Sequence, residues 1–197
     1  MMIENQSHKA VFYGDAQDIP QHNPKLNDMW FVASKEAPDA QFLQQLEKQL
    51  GQAVPPLMLE FISQCGGFDV SYDYSYPCAH NDKKKSLQLH FEGRSGCYRQ
   101  AVTVILFEGF YLPGSSSYHQ EMSTLQQCFA DGDYDDELRG RDWQKLLPFA
   151  SDNGDILCLD FNTQPEPGVV YISYDGVEVF PAFNSFRELL LALDYKE

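Results

Sequence analysis

Four short apolar runs follow one another between residues 146 and 183, and residues that favour turns separate them. The runs are LLPFAS, DILCLDF, GVVYISY and VEVFPAF, and the separators are SDNGD, NTQPEP and DG. Asn, Asp, Gly and Pro in the separators suit tight turns, and Asp-Gly is typical of a two-residue hairpin. The second half of the chain is therefore predicted to form consecutive strands of a mostly antiparallel sheet.

The middle of the chain adds further strands. FDVSYDYSYP, SLQLHFEG and AVTVILFEGFYL are rich in β-branched and aromatic residues, and the first two tend to alternate between polar and apolar positions. Each is predicted to be a strand.

Helices are predicted before, within and after these strands. Residues 39–67 form a helical pair, since Asp39 suits a helix N-cap and Pro55-Pro56 suits the start of a second helix. Residues 115–131 form another helix, for which Ser117 and Gln120 resemble a capping box. Ser185 and Glu188 form the same motif before a closing helix with a continuous apolar stripe.

The predicted fold class is α+β: a mostly antiparallel mixed sheet with an N-terminal helical pair and a closing C-terminal helix. Residues 1–197 are expected to form one domain, in which 1–36 is an irregular lead-in whose stretch 29–32 docks as a short strand. Five cysteines stand singly, which favours reduced thiols and a cytoplasmic location. The beginning of the chain lacks the apolar core of a signal peptide, and no apolar run is long enough for a membrane span.

The charge of the chain is strongly negative and unevenly distributed. The net charge is −15; residues 1–100 carry 12 acids and 9 bases, a net of −3, and residues 101–197 carry 17 acids and 5 bases, a net of −12. Such a field disfavours binding to nucleic acid or anionic lipid and speeds association with a basic partner. Solubility alone is an equally good reason for the acidity.

The elbow SDNGD carries oxygen ligands around a glycine, as calcium loops do. A calcium loop needs six to eight oxygens, and after Asp155 the sequence continues as an apolar strand without a closing acid. Asp152, Asn153 and Gly154 are what a hairpin turn requires, so the elbow is interpreted as a turn.

A second acidic stretch, DGDYDDELRGRD (residues 131–142), is termed here the acidic connector. Its acids imitate an EF-hand loop, but Asp136 stands where that loop needs glycine, so the clustering is interpreted as incidental to calcium. A tyrosine among exposed acids suits a protein interface, and a merely solvated helix end is the alternative. The candidate partner-binding residues are Asp131, Asp133, Tyr134, Asp135, Asp136 and Glu137.

Three stretches in order resemble the SUKH superfamily, which includes bacterial immunity proteins and fungal cell-wall assembly regulators. They are LEKQLGQAVPPLMLEFISQCGGF (46–68), LPFASDNGDILCLDF (147–161) and GVVYISYDGVEVFPAFNSFRELLLAL (168–193). The resemblance implies the fold above and a role in binding: bacterial members commonly neutralise a cognate toxin by occupying its active surface.

Catalysis finds little support in the sequence. Cys78 and His80 would share one face of a strand, but no recognised nucleophile motif is present, and Cys65, Cys128 and Cys158 lie in apolar runs typical of a core. No metal or cofactor is expected. The lysine run 83–85 is interpreted as a solvated turn.

The sequence therefore predicts a non-enzymatic, cytoplasmic immunity protein, a monomer or weak homodimer, that occludes the basic active surface of a cognate toxin. A regulatory scaffold with endogenous partners is the main alternative. An enzyme that uses His80 or His119, and a protein that binds a small ligand, also stay open as hypotheses.

Overall fold

The fold is given by a computed structural model. It describes residues 7–29, 31–32, 34, 39–65, 86–95, 98–106, 110–131, 140–152, 154–162, 166–173 and 178–196. The helices are α1 (Ile19–His22), α2 (Ala40–Leu50), α3 (Pro56–Cys65), α4 (Ser116–Asp131) and α5 (Phe186–Ala192). The strands are β1 (Ser7–His8), β2 (Phe31–Val32), β3 (Ser86–Ser95), β4 (Tyr98–Leu106), β5 (Leu146–Asp152), β6 (Asp155–Asp160), β7 (Gly168–Ser173), β8 (Glu178–Phe183) and β9 (Leu193–Lys196). The α+β prediction is confirmed.

The consecutive strands predicted in the second half of the chain form a four-stranded antiparallel sheet in the order β5-β6-β7-β8. Asp152 pairs with Asp155 across the elbow, and Gly154 between them has a φ of 99°, which only glycine adopts readily. The elbow is therefore a turn, as predicted. The predicted Asp-Gly hairpin turn at 175–176 lies outside the described residues, between the paired Ser173 and Glu178.

Both faces of this sheet are buried, which explains why its strands are almost uninterrupted apolar runs. Leu157 and Leu159 of β6 belong to the main core, while Ile156 and Cys158 belong to a second apolar cluster. The aromatic rings of α3 and α5 pack within the main core, and Leu125 of α4 belongs to the second cluster. Helix α4 thus covers the sheet face turned away from α3 and α5.

A second sheet has the order β4-β3-β9 and is also antiparallel. Strands β3 and β4 correspond to predicted strands, whereas the predicted strand at 68–77 lies outside the described residues. The sequence does not predict β9, because its first residue, Leu193, falls on the apolar stripe of the closing helix and only three residues of the strand follow it. Its Leu193 is buried and pairs with Leu89 of β3.

Side-chain caps mark most of the predicted helix starts. Asp39 accepts a hydrogen bond from Gln41 N at the start of α2, and Ser185 accepts one from Glu188 N at the start of α5. The predicted capping box at Ser117 is wrong. Helix α4 begins at Ser116, and the cap lies two residues before Ser117: the hydroxyl of Ser115 accepts the bond from Tyr118 N at 3.2 Å.

The lead-in is more ordered than the sequence suggests, because it contacts the C-terminal helix through polar side chains. The buried Asn23 amide donates to the carbonyls of Leu190 and Leu193, at 2.9 and 2.8 Å. Arg187 of α5 donates to both carboxylate oxygens of Asp18, at 2.6 and 2.7 Å. The predicted docking strand is present as β2, which pairs with β1.

Replacing Asn23 by Ala is expected to lower the free energy of unfolding by about 2–3 kcal/mol, because two buried carbonyls at the end of α5 lose their donor. Urea denaturation measures the change. Asn27→Ala is the matched control, since the Asn27 amide donates to Pro20 O at the exposed surface, and its cost should stay below about 0.5 kcal/mol. Equal losses in the two variants would contradict the assigned role of Asn23.

The contact between Asp18 and Arg187 should make stability depend on pH. The hydrogen bond from Arg187 lowers the pKa of Asp18 below its ordinary value of 3.8, so the folded state favours the carboxylate. The contact therefore contributes to folding stability at pH values above the pKa of Asp18 in the unfolded chain. That contribution is lost as the pH falls through the lowered pKa of Asp18 in the folded state.

The melting temperature of Asp18→Asn should accordingly lie below that of the wild type at pH 6, and the gap should narrow on acidification to pH 2.5. Asp28→Asn, which removes an exposed carboxylate outside this contact, is the control. A gap for Asp18→Asn that is the same at both pH values would contradict the assignment.

Candidate partner-binding site

A groove of about 350 Å³ lies between α2, α4 and the 3₁₀ turn Trp143–Lys145. Its first wall is one face of α2, where residues at positions i, i+3, i+4 and i+7 project together. These are Phe42, Gln45, Leu46 and Gln49. Leu46 is buried, while the two glutamines are exposed.

The second wall is one face of α4, and the third is the 3₁₀ turn. The α4 residues again follow helical spacing: Tyr118, His119, Met122, Ser123 and Gln126. Trp143 and Gln144 complete the lining. None of the described lining residues is Asp, Glu, Lys or Arg, although 22% of the chain is charged.

Aromatic contacts hold one end of the groove. The Phe42 ring meets the rings of Tyr118 and His119 edge to face, each with a centroid separation of 5.7 Å. Gly114 leaves room for Phe42, since a Cβ there would lie 3.0 Å from that ring. This end of the groove is consequently a packed aromatic cluster with a defined shape.

Beneath α4 lies a group of buried polar side chains. Glu121 and Asp160 are 7% and 1% exposed, and Cys158 lies between apolar residues of the second cluster. Burial, followed by the charges of Glu121 and Asp160, raises the pKa of the Cys158 thiol well above its ordinary value. Burial, with Cys158 nearby, raises the pKa of Tyr118 to about 12. Both groups are thus held in their neutral forms.

The sheet positions the third wall of the groove through Asp160 at the end of β6. Asp160 Oδ2 pairs with Arg141 Nε at 3.1 Å, and Asp160 Oδ1 accepts hydrogen bonds from the backbone and side chain of Asn162. The Asn162 amide in turn bonds the backbone of Asp142 in both directions, at 2.8 and 3.1 Å. Asp142 then caps the 3₁₀ turn that carries Trp143.

The acidic connector therefore joins two walls of the groove. It starts at Asp131, the last residue of α4, and it ends at Arg141 and Asp142, which Asp160 and Asn162 hold against the sheet. Of the other predicted binding residues, Asp133, Tyr134, Asp135, Asp136 and Glu137 lie outside the described residues. Their role in binding stays a prediction.

Of the other cysteines, histidines and lysines, some lie within the described residues and some lie outside them. Cys65, Cys128 and Cys158 are buried, as predicted. His90 is exposed and hydrogen-bonds Thr103 at 3.0 Å, while His119 belongs to the groove. Cys78, His80, Cys97 and the lysine run lie outside the described residues. Within the part of the chain that is described, no three His, Cys, Asp or Glu side chains are grouped as metal ligands.

Sequence reasoning missed the groove. Trp143 stands between Asp142 and Gln144 in the sequence, which does not distinguish a core position from a binding anchor, and it is half-buried in the groove wall. One feature of the sequence does indicate the groove, namely a glutamine-rich face of α2. Gln45 and Gln49 are four residues apart and lie on the same face of the helix as Phe42. Nothing in the sequence places α4 opposite that face, because the position of α4 is set by the sheet that it covers.

The fold and the groove together define an α+β protein that has a ligand-sized concave surface. The chain matches the model of the SMI1 / KNR4 family (SUKH-1) over residues 37–192, and it belongs to that family, which confirms the resemblance. No curated protein and no solved structure shows a significant match to the chain. None of the helices in the described ranges is both long and apolar enough to cross a membrane.

Replacing Arg141 by Met is expected to lower the free energy of unfolding by about 3 kcal/mol, because it removes the charged partner of a carboxylate that is 1% exposed. It should also change the emission of Trp143, whose turn this contact positions. Urea denaturation followed by tryptophan fluorescence reads both effects. The control Lys145→Met, in the same turn, should cost less than about 0.5 kcal/mol. A negligible effect of Arg141→Met would show that the pair does not anchor the connector.

Proposed function

We propose that this chain is a non-enzymatic, cytoplasmic immunity protein that neutralises a cognate, basic protein toxin by covering its active surface. Membership of the SMI1 / KNR4 family supports a binding role at a general level. The observation that carries the more specific proposal is the charge: a net of −12 in residues 101–197, with five acids in the seven residues from Asp131 to Glu137.

The place of Asp131 at the end of α4 supports a functional reason for that acid. Asp131 is the last residue of α4, and no basic residue occupies the last turn of that helix. A carboxylate at a helix C-terminus faces the negative end of the helix dipole, which costs about 0.3–1 kcal/mol. The helix therefore gains no stability from Asp131 at this end, and attraction of a basic partner is a functional reason for that acid, with solubility as the alternative.

The mechanism follows from electrostatic steering. An acidic patch accelerates the encounter with a basic surface, and the effect weakens as salt shortens the range of the field. A toxin that binds an anionic substrate needs a basic cleft, and the acidic connector would compete for that cleft. Occlusion of this kind is stoichiometric and needs no catalytic group.

The described residues offer no strong case for catalysis. A nucleophilic cysteine must reach its thiolate form, and Cys158 is held as a buried thiol. A regulatory scaffold for endogenous partners is the second candidate, because membership of the SMI1 / KNR4 family is compatible with that role as well as with immunity.

The test begins with capture of partners from the cells that make the protein and from close relatives, at low salt and at about 0.5 M NaCl. Each captured protein is then expressed alone, to find out whether it is toxic and whether co-expression of this chain restores growth. Asp133, Asp135 and Asp136 all changed to Lys should weaken binding by at least tenfold at low salt and abolish protection. Asp15, Asp28 and Glu60 changed to Lys form the control with equal charge, and protection should persist.

Capture of non-toxic endogenous proteins alone would favour the scaffold. Equal protection by the two charge-reversed variants would contradict a specific role for the acidic connector.

A further inference from the structure

The groove between α2, α4 and the 3₁₀ turn combines aromatic rings with uncharged polar groups. Phe42 and Trp143 line it and are half-buried, and the exposed ring of His119 lies beside them. The neutral polar side chains of the lining are Gln45, Gln49, Ser123, Gln126 and Gln144. Such a mixture suits a ligand that is itself partly apolar and rich in hydrogen-bonding groups.

The lining disfavours a charged ligand. None of its described residues is Asp, Glu, Lys or Arg. A charged group that entered the groove would lose water without gaining an ion pair there, which costs free energy. An anion would also meet the field of a chain whose net charge is −15. The ligand is therefore expected to be neutral.

Two glutamine side chains line opposite walls of the groove and are available to a ligand. Gln45 lies on α2 and Gln126 lies on α4. Both are exposed, and neither side chain forms a hydrogen bond with a described residue. Each amide has two N–H donors and a carbonyl acceptor, while a hydroxyl both donates and accepts. One amide can consequently bond two neighbouring hydroxyls of the same ligand.

Contacts within the protein hold the walls of the groove in place. Gln49 Nε2 donates to the backbone carbonyl of Gln144 at 2.9 Å, which ties α2 to the turn that carries Trp143. Two helical turns away, the Phe42 ring meets the Tyr118 ring edge to face, with centroids 5.7 Å apart. A ligand can bind such walls with little rearrangement, which lowers the entropy cost of binding.

The size and chemistry of the groove fit a sugar. Its volume of about 350 Å³ lies near the lower end of the range for ligand sites, about 300–1,000 Å³, and suits one or two sugar rings. A pyranose ring has C–H groups on its faces, which pack on aromatic rings, and hydroxyls around its edge, which bond amides. A purely apolar ligand would instead cover the amides without bonding them.

We infer that the groove is a binding site for a neutral saccharide: a sugar ring packs against Trp143, and its hydroxyls bond the amides of Gln45 and Gln126. This inference goes beyond the proposed function and does not depend on it, because none of these residues belongs to the acidic connector. Since the amides are exposed, the bound sugar keeps much of its contact with water. The dissociation constant is therefore expected in the millimolar range.

Titration of the ¹⁵N-labelled full chain with saccharides tests the inference. The probes are glucose, N-acetylglucosamine, cellobiose and maltose, which are neutral and differ in substituents and linkage. At least one should shift the side-chain amide signals of Gln45 and Gln126, and the indole signal of Trp143, to saturation in ¹H–¹⁵N spectra. The side-chain amide of Asn27, which lies outside the groove, is the internal control and its signal should not move.

Further ligands test the chemical class. Glucuronic acid and glucosamine at pH 6 place a charge on the sugar ring, and each should bind at least about fivefold more weakly than glucose, because the charge loses water without gaining a partner. Uracil and acetyl-trialanine amide are neutral and amphiphilic but lack a ring of hydroxyls. They should cause no saturable shift.

Matched variants locate the site. Gln45→Ala combined with Gln126→Ala adds no volume and should weaken saccharide binding at least about fivefold through lost hydrogen bonds. Gln44→Ala combined with Gln127→Ala is the control on the same two helices: both residues are exposed and outside the groove, and binding should stay within about twofold. Ser123→Trp fills the groove and should abolish the shifts, whereas Gln127→Trp should keep them.

Each outcome decides the inference. Saturable shifts that the Gln45 and Gln126 variant loses and the Gln44 and Gln127 variant keeps would establish the saccharide site. No saturable shift with any of the neutral saccharides, or equal binding by the two double variants, would overturn it. Binding of uracil or the peptide as tightly as the best saccharide would overturn the assigned ligand class.

Discussion

Burial of both faces of the β5–β8 sheet is the constraint on which the rest of the structure depends. If only one face of the sheet were apolar, α3 and α5 would be enough to bury it. The opposite face also carries apolar residues, Ile156, Val170 and Val179, and they must be buried by another element. Helix α4 supplies it through Leu125, Met122 and Phe129. Because α4 must lie on that face, its outer side is brought beside α2, and the groove forms where the two helices meet.

Burial of both faces of the sheet also explains why the Asp160 carboxylate is buried. Strand β6 alternates Leu157 and Leu159 toward the main core with Ile156 and Cys158 toward α4, so Asp160 at the next position of that face is also enclosed. A buried carboxylate requires partners, and Arg141 and Asn162 provide them. Arg141 belongs to the acidic connector and Asn162 bonds the backbone of Asp142, so satisfying Asp160 also determines where the connector rejoins the fold.

Local chemistry made much of this fold predictable from sequence. The turn at Gly154, the cap at Ser185 and the start of α2 at Asp39 each depend on a few neighbouring residues. Strand β9 was missed because its identity depends on pairing with β3, about a hundred residues away in the sequence. The sequence misplaces the cap of α4 because three serines in a row, Ser115 to Ser117, offer several equivalent starts, and only packing distinguishes Ser115.

The two candidate binding features, the acids and the groove, also differ in whether the sequence reveals them. The acids at 131–137 are visible in sequence because charge is a property of composition, and it acts over distances that do not require an exact position. The groove is invisible in sequence because it depends on the relative placement of α2, α4 and Trp143. Long-range attraction brings a partner near but discriminates poorly among basic proteins, whereas a shaped groove of amides and aromatic rings discriminates by fit. The charge needs no fixed geometry, whereas the groove exists only once α2, α4 and the 3₁₀ turn have come together in the fold.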